Sequence, residues 1–252
     1  MIATITCMDI SGIIRRTMYL TVFIMLHSLL LILPAMLLGA QLILTLVLVK
    51  GEICPGQRGR IHKVLPVIGV LWLATAMVQP SSLLVGAGIF YFYSQVQTKK
   101  TRKEGPLWVL HASSVYASVI LVWNAFSLPL WSIGVSSLLS VGLLGALFAH
   151  LLLTIARTRL QAFHRLLPVG GILFAMAVVL CVVPYALQLP QESLHVATQQ
   201  LLTYFALLVL SIIIWAWHML TGKAVMKTQL AIAQVVLLGA MMGFEQVYLS
   251  IA

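Results

Sequence analysis

Charge is what this sequence has least of. Of its 252 residues 8% are charged and 62% hydrophobic, and the mean hydropathy is +1.08, whereas soluble domains carry about a quarter charged residues. So few charges cannot coat a water-facing surface, which excludes a soluble globular domain, a disordered chain and a secreted disulfide scaffold. Acids are scarcer still, with five Asp and Glu in all. Asp9, Glu52, Glu104 and Glu192 fall in loops or the N-terminal stretch, and only Glu245 lies inside an apolar run. Hydrolysis built on a carboxylate pair therefore lacks its parts. Walker, nucleophile-elbow and Rossmann patterns are also missing, so enzyme activity is not expected. Cys7, Cys54 and Cys181 are odd in number and far apart, and suggest neither a disulfide framework nor a CxxC site.

What is present is a set of cations in five short groups. These are Arg15 and Arg16; Lys50, Arg58, Arg60 and Lys63; Lys99, Lys100, Arg102 and Lys103; Arg157, Arg159 and Arg165; Lys223 and Lys227. Loops rich in Lys and Arg stay cytoplasmic, so the chain between two such groups crosses the bilayer an even number of times. The intervals agree: 64–98, 104–156 and 166–222 each hold two apolar segments, broken at Gln79-Pro80-Ser81-Ser82, at Ser127 to Ser132 and at Gln188 to Glu192. Residues 228–249 make a last span, which leaves the C-terminus external. The apolar stretch 17–49 would be roughly 50 Å long as one helix, more than the roughly 30 Å of hydrocarbon it has to cross. One span over about 26–49 after an interfacial segment (1–25) is expected, with a tight hairpin at Pro34 as the alternative. The fold class is thus all-α: a polytopic transmembrane helix bundle of about eight spans, or nine, built as helix-loop-helix units within one domain (26–252).

Two stretches resemble each other. His62-Lys63-Val64-Leu65-Pro66-Val67-Ile68-Gly69 matches His164-Arg165-Leu166-Leu167-Pro168-Val169-Gly170-Gly171, and Gly39-Ala40 and Gly145-Ala146 precede them. This is either a parallel duplication or the common way of writing a cytoplasmic helix start, with a basic loop, an early proline and then an apolar run.

Histidine outnumbers acid, seven to five. His27, His111, His150 and His218 fall in or beside spans, where a polar side chain needs a partner. His111, His150 and His218 sit five to eight residues from basic loops, roughly 8 to 12 Å inside the cytoplasmic edge. Three imidazoles at one depth are what a haem or a copper ion held between helices would need, so they are the candidate cofactor and metal ligands. Each alone also reads as an interfacial histidine bonded to a carbonyl or headgroup. His62 and His164 are expected to be solvated or phospholipid-facing in the basic loops rather than metal-bound, and His195 wetted at the far side. Glu245 is the single candidate for proton-coupled transport, with snorkelling to water as the plainer reading.

At Pro106-Leu107-Trp108-Val109-Leu110-His111, and again over Ser137 to Gly145 with Arg157-Thr158-Arg159 following, the chain resembles the NnrS family over about residues 82–222. That resemblance implies a haem- and copper-binding bacterial membrane protein linked to nitric oxide or respiratory stress metabolism. Of the family's motif histidines it transfers only His111, because Ser137 stands where the family has another histidine. A small-solute permease with Pro66, Pro168 and Pro184 loosening its helices, and a ligand-free accessory subunit of a larger membrane complex, are the alternatives. The expected setting is a bacterial inner membrane, with anionic phospholipid at the basic loops, a membrane-protein partner or a second copy alongside, and no nucleic acid.

Overall fold

The computed structural model describes residues 2–51, 53–98, 105–157, 161–188 and 191–249, and all of its regular structure is helical. The elements are α1 (Ile2–Lys50), α2 (Pro55–His62), α3 (Leu65–Thr75), α4 (Ser82–Thr98), α5 (Leu107–Phe126), α6 (Trp131–Ile155), α7 (Gln161–Ala186), α8 (Gln191–Thr221) and α9 (Lys227–Leu249). Local chemistry sets several of the boundaries. Pro55 and Pro66 occupy the first turns of α2 and α3, where a missing N–H costs nothing. Gly222, at φ +64°, follows the last turn of α8 in the left-handed conformation that glycine adopts most cheaply.

Each of the eight apolar segments expected from the sequence is a helix, but six of them reach spanning length. The α3 helix has 11 residues and α4 has 17, roughly 16 and 25 Å, so they form a hairpin shorter than the other helix pairs. The nine-span alternative is ruled out. Pro34 lies within α1, which continues through it as a single helix, because one missing hydrogen bond is tolerated where neighbouring helices hold the turn. Packing on α1 begins at Ser28, and Met18 to Leu26 stand 46–65% exposed. Arg15 and Arg16 consequently lie roughly 50 Å along the helix from Lys50. Lys99, Lys100, Arg102, Lys103 and Arg159 lie outside the described residues. The other basic loops gather at one end, where Arg60 Nη1 donates to the Arg157 carbonyl at 3.3 Å.

The duplication is visible in which helices touch. In the first half α1 packs on α3, α3 on α4, α4 on α5, and α5 back on α1; in the second, α6 packs on α7, α7 on α8, α8 on α9, and α9 back on α6. Contacts between the halves obey the same exchange: α1 meets α6, α1 meets α9, and α6 meets α5. The molecule is therefore two four-helix rings joined along α1 and α6, with α2 as an addition to the first. The seam is closest where the paired glycines of the two motifs meet. A Cβ on Gly39 would overlap the Val141 carbonyl oxygen and lie 2.8 Å from the Gly145 Cα, and one on Gly145 would lie 2.9 Å from the Ala40 nitrogen. Small residues let two backbones approach in this way, and in lipid such packing does much of the work of association. The second glycine pair behaves alike. Gly69 on α3 is covered by the Phe90 ring of α4, and Gly171 on α7 by the Trp215 ring of α8.

Candidate functional site

Of the polar regions inside the bundle, two bear on function, one near the basic end of the second half and one at the far end of the seam. The first is built by α6, α7 and α8. His150 is fully buried and His218 is 7% exposed, with their ring centroids 5.6 Å apart. Trp215 Nε1 donates to His150 Nδ1 at 2.9 Å, which fixes the remaining ring proton of His150 on Nε2. That nitrogen donates to His164 Nδ1 at 2.8 Å. His218 closes the group, with Nδ1 2.9 Å from the Trp215 carbonyl and Nε2 3.1 Å from the His164 carbonyl.

This differs from the expected triad. His150 and His218 do share a level and a contact, but His111 does not join them. It is exposed on α5, bonded to its own helix at the Leu107 carbonyl, 2.8 Å away. A ligating imidazole needs a lone pair facing the ion, and His150 spends both nitrogens on Trp215 and His164. Among the described residues, no group of three or more His, Cys, Asp or Glu is arranged to hold a metal ion. The side chains that sequence reasoning missed are His164 and Trp215. His164 belongs to the first turns of α7, which begins at Gln161, upstream of the expected span. Leu167 and Gly171, three and seven residues on, are buried on one stripe with it, a periodicity readable in the sequence.

His62 also lies away from solvent. It is 1% exposed at the end of α2, its ring edge-on to Phe92 at 5.5 Å, and neither ring nitrogen meets a hydrogen-bond partner among the described residues. Burial, with the Arg58 guanidinium adding to it, pushes this imidazole down to about 4. His27 and His195 are exposed.

The second region is a cavity of about 150 Å³ between the far ends of α1, α5, α6 and α9, with the α3–α4 turn over it. Leu30 and Pro34 of α1 and Ser136 and Ser140 of α6 line it together. With Gly39 and Gly145 meeting further along, α1 and α6 therefore run parallel and the cavity straddles the seam. Its polar lining comes from Gln79, Asn124, Ser137 and Glu245 besides those serines, with Tyr248 at the edge. Tyr248 Oη is buried with the Ser136 side chain beside it, while the neighbouring Tyr185 Oη donates to the Val247 carbonyl at 2.8 Å. Glu245 thus lines an internal space, and no hydrogen bond or ion pair ties its carboxyl to another described residue. The serines were legible as a set: Ser132, Ser136 and Ser140 are four apart, and all are buried.

Fold and seam define a multi-pass helical membrane protein made of two like halves. The chain belongs to the family described as an integral membrane domain, whose model matches residues 2–242. It is similar to a Haemophilus influenzae protein described as uncharacterized, with 35% identity over 147 residues covering 54% of each chain, so the match spans about half the length of that relative. No solved structure matches. The family match overturns the resemblance to NnrS, whose short apolar motifs are of a kind that any basic loop followed by a membrane helix produces. The histidine that resemblance carried, His111, is the one that stands outside the polar cluster.

Proposed function

We propose that the chain is a permease-type bundle that takes up a small polar solute in the cavity between its two halves. The carrying observation is the location of that cavity: it straddles the seam of a parallel duplication and is lined by the one acid of the apolar spans. Transporters with parallel repeats bind substrate at the repeat interface, and alternating access is one half rocking against the other. An ionisable residue within a span that faces a cavity is the usual mark of a solute path. Beyond the cavity, toward the basic end, the Gly39–Gly145 contact and the buried Gln41, whose Nε2 donates to the Ser113 and Ser114 hydroxyls at 2.9 Å, close the way, as a one-sided binding state requires. By the positive-inside rule the basic end faces the cytoplasm of a bacterial inner membrane, and the cavity lies toward the external side.

The test is uptake into vesicles containing the purified full chain, with a panel of small amines, amides, polyols and carboxylates. At least one class enters faster than into protein-free vesicles, and Ser140→Trp, which fills the cavity, abolishes the difference. No class entering above the protein-free rate overturns the proposal.

A further inference from the structure

We infer that the solute is a small organic ammonium ion whose charge is taken by Glu245. This rests on the cavity reading above and adds a substrate class to it.

Charge comes first. The lining contains one acid and no Lys, Arg or His. Glu245 is half-buried; a carboxylate drawn from water without a counter-ion is costly, and among the described residues none supplies a counter-ion in this lining. Lys227, the cation on the same helix, lies 18 positions away, roughly 27 Å along α9. The other described cations sit in the basic-end loops or on α1 at Arg15 and Arg16. A cationic ligand would supply the positive charge that this lining lacks. An anionic solute would meet a like charge and no base. A neutral one would leave the carboxyl as poorly compensated as before.

Shape narrows the class further. A volume of about 150 Å³ matches the engineered apolar cavity that holds benzene, so the ligand has about six heavy atoms. Most of the wall is apolar, with Leu30, Leu121, Ile133 and Phe244 among its residues, which suits a short alkyl body. An ammonium head offers up to three donors. Glu245 accepts one; the Tyr248 hydroxyl on the same helix and the amide oxygen of Asn124 on the opposing wall are further acceptors in the lining. The Trp72 ring adds an aromatic face, to which a desolvated cation is attracted. A bare metal ion fits less well, because it needs a closed shell of ligands and this wall is mainly hydrocarbon.

The experiment is calorimetric titration of the detergent-purified full chain at neutral pH with propylammonium, 1-propanol and propionate, which share a carbon skeleton and differ in charge. Propylammonium binds, and the other two bind at least about tenfold more weakly. Glu245→Gln weakens propylammonium by at least about tenfold and leaves 1-propanol unchanged, whereas Glu245→Asp, which keeps the charge and serves if the glutamine variant fails to fold, stays within about threefold of the parent. Equal binding of amine and alcohol, both lost in Ser140→Trp, overturns the ammonium assignment and leaves the cavity reading standing. Binding by none of the three, together with no uptake of any class into vesicles, overturns both.

Discussion

The two halves of this molecule share a plan and differ in where they keep their polar groups. In the first half, a Trp on the second principal helix donates to a polar side chain on the first: Trp72 Nε1 bonds Gln41 Oε1 at 3.1 Å, and Gln41 Nε2 donates to Ser113 and Ser114 Oγ at 2.9 Å each. In the second half a Trp again donates to the first helix, but it is Trp215 on α8, its target is His150, and the group lies at the basic end. The offset is small in sequence. Two positions after the seam glycine α1 has Gln41, and five after it Leu44; at the same offsets α6 has Leu147 and His150. The plan tolerates this because each ring of four helices needs a polar tie, and the level of that tie is set by which buried position is polar. A tie of this kind is worth only about 0.6 kcal/mol per bond in membrane bundles, so it selects a register more than it supplies stability.

The comparison breaks most readily at what the halves share. Gly39 and Gly145 are mutual neighbours, and a side chain on either meets backbone, which cannot turn aside. Gly39→Leu and Gly145→Leu are each expected to cost more than about 3 kcal/mol, and the alanine variants about 1–3. Reversible unfolding in mixed micelles measures this. Gly170, where a Cβ meets nothing within 4 Å, is the control, and its alanine variant is expected to be neutral or slightly stabilising. Equal effects at Gly39 and Gly170 would mean that the halves do not close on the glycine contact.

Much of this architecture could be read from the sequence. Basic loops and apolar run lengths gave the helices, and the His-x-x-Leu-Pro-Val-x-Gly pair with its preceding glycines marked the repeat. The motif did not say that Gly39 and Gly145 touch, because a repeat fixes equivalence and leaves the docking of the copies open. For the site, depth counting along single helices correctly brought His150 and His218 to one level. It failed for His111, because depth carries no azimuth, and α5 turns that residue outward while Ser113 and Ser114 face in. It also missed His164, which was assigned to water because a basic loop adjoins it. For Glu245 the sequence leaves both a proton-coupling role and snorkelling open; the structure places it on a cavity whose opposing walls come from α1, α5 and α6, which no local pattern around Glu245 reveals.

A smaller effect sharpens the contrast between the two ties. Gln41→Leu leaves the Trp72 N–H without an acceptor, while Ser113 and Ser114 keep their bonds to the Leu110 carbonyl. His150→Leu likewise orphans the Trp215 N–H. The two variants are expected to cost about 1–2 kcal/mol each, close to one another, and His111→Ala less than about 0.5. Unfolding free energies in the same micelles check all three. A His150 effect far above that of Gln41 would show that the histidine group does more than tie helices.

An effect of opposite sign is expected at His62. It is the counterpart of His164 in the repeat, but the imidazole that bonds His164 has Leu44 at its equivalent position, so His62 is a buried polar ring with no hydrogen-bond partner among the described residues. Burying such a group costs free energy that an apolar residue of similar size does not. His62→Leu is thus expected to stabilise the protein at neutral pH, by about 1 kcal/mol. The pH dependence follows from the sign of the shift. The folded ring holds its proton only below about 4, against an ordinary value of 6.5, so between those values the unfolded chain binds a proton that the folded one refuses. Stability therefore falls as pH drops from 6.5 toward 4. His62→Leu removes that part of the slope, and thermal unfolding of parent and variant across this window measures the difference. Parallel curves would mean that His62 finds a partner and that the first half has its own histidine tie.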